Sequence, residues 1–103
     1  MHDKFIKAIH AKSKVKISFY SDEDKSVIDR ICYPMDYGPG TKIKDNAPRY
    51  WVWDSQSDTK PHPLPLKQEQ IHGFQVLNET FDPAEFVTWT TAWNIPRGWG
   101  IYS

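Results

Sequence analysis

Tyr20, Arg30, Arg49, Trp51 and Lys67 are the residues best suited to holding a bound molecule, because each sets a ring or a cation near the end of a predicted strand. Aromatic faces stack on planar ligands, and guanidinium and ammonium groups hold anions. The set therefore suits a pocket for a small molecule, a nucleotide or a short nucleic acid. The competing arrangement buries Trp51 in the core and leaves both arginines in solvated ion pairs.

Acid–base and metal chemistry find less support. His62 and His72 stand apart in the chain without a paired carboxylate or a cysteine motif, so both are read as structural and no metal is assigned. Asp22, Glu23 and Asp24 run into Lys25 as a solvated turn. Cys32 lies inside a predicted strand with no histidine signature beside it, which fits a buried, inert thiol. The chain has no nucleophile elbow, phosphate-binding glycine loop or zinc spacing, so it reads as a non-enzyme without a cofactor.

These residues hang on a short series of elements. Phe5, Ile6 and Ile9 recur at helical spacing opposite Lys4 and Lys7, which predicts a helix over 3–13 with Asp3 as its cap. From Lys14 the period becomes two: Val15, Ile17 and Phe19 alternate with Lys16, Ser18 and Tyr20, the pattern of a half-buried strand. After the turn over 21–25, Val27–Tyr33 forms the returning strand and Pro34 ends it. Residues 35–48, with Gly38-Pro39-Gly40 and Asn46-Ala47-Pro48, read as a long excursion.

Arg49–Asp54 is apolar on both faces, so something must cover its second face. A loop over 55–63 precedes a short edge strand at Leu64–Leu66, because Pro63 and Pro65 cannot donate to a ladder, and Ile71–Leu77 supplies a fifth strand. Asp82-Pro83-Ala84-Glu85 reads as the start of a short helix that Pro96 must end. The expected fold is mainly β: residues 14–77 form one five-stranded antiparallel barrel of SH3- or Sm-like type, with the first helix across one end.

Composition sets the outer bounds. At 103 residues the chain has room for one modest core. Its 13 basic residues balance 13 acidic ones, so it lacks the excess positive charge behind non-specific nucleic-acid binding. A lone cysteine, no signal-like apolar core and no membrane-length apolar run together read as a cytoplasmic chain.

The order of these features resembles a WYL domain. The likeness runs through Ala8-Ile9, Tyr20, Arg30 with Pro34, Tyr50-Trp51-Val52 at the signature position, Leu64-Pro65-Leu66, Glu69-Gln70-Ile71 and Phe81-Asp82-Pro83. It gives a barrel domain over 1–83 and a Trp-rich extension over 84–103 that packs on the same domain. The resemblance implies a ligand-sensing, regulatory module for nucleic acid or nucleotides. The chain departs from the family in its Tyr-Trp-Val signature, in lacking the fourth-strand arginines, and in carrying Gln70 where an arginine is usual. Glutamine lacks the fixed cationic fork that holds phosphate, so the fold carries over better than the ligand. A second reading is an assembly module whose Trp-rich tail docks on a partner protein or a second copy.

Overall fold

Helix α1 spans His2–Ala11 and buries Phe5, Ala8 and Ile9 while Lys4 and Lys7 stay exposed. The computed structural model describes residues 1–22, 24–39, 47–55 and 62–103, with the backbone alone at His62. The expectations placed on Glu23, on 40–46, on 56–61 and on the His62 side chain lie outside the described residues. The helix is shorter than its period suggested, because Lys12 takes a left-handed conformation (φ 55°, ψ 39°) and turns the chain directly into the next strand. Asp3 is not its cap: Met1 holds that position and Asp3 sits in the first turn.

The strands are β1 (Ser13–Ser21), β2 (Ser26–Gly38), β3 (Arg49–Asp54), β4 (His62–Leu66) and β5 (Ile71–Thr80). All pairings are antiparallel, in the order β4-β3-β2-β1-β5. In β1 the alternation holds: Val15, Ile17 and Phe19 are buried and the residues between them are not.

The register shows why this sheet cannot lie flat. β2 pairs with β1 through Ser26–Cys32 and with β3 through Cys32–Gly38. Leu66 lies level with Tyr50 and Tyr37, whereas Ile71 lies level with Phe19 and Ile28. In a flat sheet the levels of Ile28 and Tyr37 would stand roughly 30 Å apart along β2, at about 3.3 Å per residue. Yet only Lys67–Gln70 joins Leu66 to Ile71, and Gln68–Gln70 is a 3-10 turn, which advances only about 2 Å per residue. The sheet must therefore fold over within β2, giving a curled, mainly β α+β structure with α1 packed against β1, β2 and β5.

Pro34 does not end the strand. It sits opposite Val52 beside a register shift between Pro34 and Asp36, and β2 continues to Gly38. A bulge tolerates a residue without an N–H and bends the strand, so proline marks the fold-over point rather than the strand end.

The C-terminal segment also departs from expectation. Asp82 does cap a turn, accepting from the Ala84 N–H at 3.0 Å with Pro83 at the first position, but only the 3-10 turn Pro83–Glu85 forms. Val87, Thr88, Thr90 and Thr91 disfavour a helix. Irregular backbone instead lets Phe86, Trp89, Trp93 and Trp99 meet in one ring cluster. That cluster covers the second face of β3: Trp53 stacks on Phe86 (5.2 Å, 26°) and on Trp89 (6.3 Å, 27°).

Ring burial in the tail should thus contribute to global stability. Phe86→Ala, at a site 2% exposed, is expected to lower the unfolding free energy by about 3–5 kcal/mol in urea titration. Ile101→Ala, at a site 90% exposed, should leave it unchanged within error.

Candidate functional site

The five residues singled out in the sequence fall into two places. Arg49 begins β3 opposite Gly38, is buried, and donates from Nη1 to the Ala47 carbonyl at 3.1 Å. Trp51 lies opposite Asp36 and Pro65 and donates from Nε1 to the Gly38 carbonyl at 2.9 Å. Lys67 follows β4 directly and is next in register to Arg49, since Tyr50 pairs with Leu66. These three share one end of the β3–β4 pair.

Tyr20 and Arg30 lie toward the β1–β2 hairpin and on opposite faces of the sheet. Tyr20 is exposed beside Val27. Arg30 pairs with core-facing Ile17, and its Nε stands 3.7 Å from Oδ2 of buried Asp54. Cys32 is fully buried close by, and burial, with the Asp54 carboxylate adding to it, pushes its thiol far above the usual range. Such a thiol is a packing group, not a nucleophile.

The strongest polar centre is one that no sequence pattern marks. Asp36 accepts four hydrogen bonds from the tail: Asn94 N at 2.8 Å and Asn94 Nδ2 at 3.1 Å on one oxygen, Ile95 N at 2.9 Å and Arg97 Nη2 at 3.2 Å on the other. Arg97 has a fully buried side chain, donates twice to the Ile95 carbonyl and once to Met35 O, and lies between two indoles. Its guanidinium carbon is 4.1 Å from the Trp93 ring centre and 4.5 Å from that of Trp99. Burial pulls Arg97 down to about 10, with Asp36 opposing that shift, so it remains a cation at neutral pH. Gly38 completes the dock: at φ +149°, a Cβ there would stand 2.6 Å from Asn94 Nδ2.

That centre is closed, with its charges and donors satisfied within the chain. Among the described residues, an open cleft of about 400 Å³ is lined by Met1, Lys4, Gln68, Ile71, His72, Gly73 and Phe74. Three elements build it: the first turn of α1, the 3-10 turn after β4, and the start of β5. Lys4, Gln68 and His72 supply donors while Ile71 and Phe74 supply apolar surface, a composition that binds and orients a ligand. His72, read from the sequence as structural, is exposed on this wall, and Lys67, which precedes Gln68 in the chain, is not among the lining residues. No spacing signal marks the cleft, because Lys4 and His72 meet only through the packing of α1 on β5. Among the described residues no group of histidine, cysteine and carboxylate side chains could hold a metal, and no helix is long and apolar enough to cross a membrane.

The Asp36–Arg97 pair carries a direct test. Asp36→Ala leaves a buried guanidinium without its counter-charge and should cost about 3–5 kcal/mol in urea unfolding. The double variant Asp36→Ala/Arg97→Met should cost less than the sum of the two single changes by at least about 1 kcal/mol, whereas strict additivity would show that the two do not couple.

Comparison with family models, with curated proteins and with solved structures gave no match, so any role for the chain rests on its own side chains.

Proposed function

We propose that this chain is a ligand-binding, sensing module and that the ligand occupies the cleft between α1, the 3-10 turn at Gln68–Gln70 and the start of β5. The observation that carries the reading is the convergence of Lys4, Gln68 and His72, from three separate elements, around an open volume floored by Ile71 and Phe74. Its size falls at the lower end of small-molecule sites, which run from about 300 to 1,000 Å³. The WYL-like reading of the sequence agrees in kind, since it implies a regulatory barrel that binds a nucleotide or a similar ligand.

Of the five residues singled out in the sequence, Lys67 immediately precedes Gln68 in the chain, Arg30 is level with Ile17 and Phe74 across β1, and Arg49 and Trp51 lie on β3. Assembly through the Trp-rich tail draws less support, because Phe86, Trp93 and Trp99 pack on the core of their own chain.

A small-molecule fragment library screened by amide chemical-shift mapping tests the proposal. Fragments that bind should move the Lys4, Gln68 and Gly73 amides and leave those of Trp53 and Asn94 in place. Shifts confined to the β1–β2 hairpin, or no shifts at all, would reject the cleft as the site.

A further inference from the structure

We infer that the cleft selects a small oxyanion, a carboxylate or a phosphate, carried on a flat apolar body, rather than a neutral molecule or a nucleic-acid strand. The inference rests on the ligand-binding reading above and adds the chemical class. It starts from the sign of the lining: Lys4 brings an ammonium, His72 and Gln68 bring N–H donors, and none of the lining side chains is a carboxylate. Asp3 and Glu69 are the nearest acids in sequence, and both are exposed and lie outside the lining.

A negative head group would meet donors on more than one side without facing a like charge. The other half of the cleft is hydrocarbon. Phe74 is half-buried, holds a fixed orientation against Phe5 (6.1 Å, 48°), and stands with Ile71 in contact with the core. A planar body can lie against that ring while its head group reaches Lys4 and His72. Size completes the case: about 400 Å³ accommodates one ring and its head group, not a run of nucleotides.

Phenylacetate, phenyl phosphate, 2-phenylethanol and inorganic phosphate, titrated into the full chain with amide shifts as the readout, separate the outcomes. At least one of the two ring-bearing anions should bind at Lys4, Gln68 and Gly73 about tenfold more tightly than 2-phenylethanol, and about tenfold more tightly than inorganic phosphate. Which anion wins names the head group. Lys4→Glu, at an exposed position, should keep the melting temperature and abolish that preference over the alcohol.

If 2-phenylethanol binds the cleft as well as the anions, or if Lys4→Glu leaves the preference unchanged, the oxyanion assignment is overturned while the cleft remains a site. Inorganic phosphate binding as tightly as phenyl phosphate would overturn the apolar half. If no probe moves the cleft amides, the ligand-binding reading fails with it.

Discussion

Asp36 stands on the half of β2 that pairs with β3, just past the register shift beside Pro34, where the sheet folds over. The register shift beside Pro34 lets β2 serve β1 with its first half and β3 with its second. The same shift sets the Asp36 carboxylate beside the tail, where four N–H donors converge on it. A buried carboxylate is tolerable only when charge-paired and saturated with hydrogen bonds, and Arg97 between two indoles meets that requirement. The tail then brings Trp99 against α1, where its indole donates to the Ile9 carbonyl at 2.9 Å. Because α1 carries Lys4, the placement of one wall of the cleft depends on a carboxylate at the far end of this chain of contacts.

This dependence explains the aromatic content. Trp51 and Trp53 alternate with Tyr50 and Val52 along β3, so a single-sided core would leave two indoles in water. Phe86 and Trp89 cover Trp53, and the Trp51 indole finds the Gly38 carbonyl. The rings thus stabilise a second layer over the sheet. The cleft lies elsewhere and draws its aromatic surface from Phe74 on β5.

Periodic segments were legible from the sequence. The alternation of Val15, Ile17 and Phe19, the apolar stripe of α1 and the Asp82-Pro83 turn start all depend on neighbours a few residues away. Pro34 misled because proline removes a donor wherever it sits, and only pairing with β3 shows that a bulge absorbs the loss. The helix expected from Asp82 to Pro96 failed for a related reason: the spacing of Phe86, Trp89 and Trp93, which suits one helical face, also suits rings gathered by irregular backbone. Asp36 and Arg97 lie 61 positions apart, so no local pattern could pair them. Lys4 and His72 are likewise joined only by the packing of α1 on β5.

The C-terminal segment is an integral part of the folded unit, held by Asp36. Native-state hydrogen exchange at the Asn94 and Ile95 amides tests it most directly, because both donate to that carboxylate. Both amides should be protected as strongly as that of Val52 in the centre of β3. Exchange of Asn94 and Ile95 at the rate of an unstructured peptide, while Val52 stays protected, would contradict it.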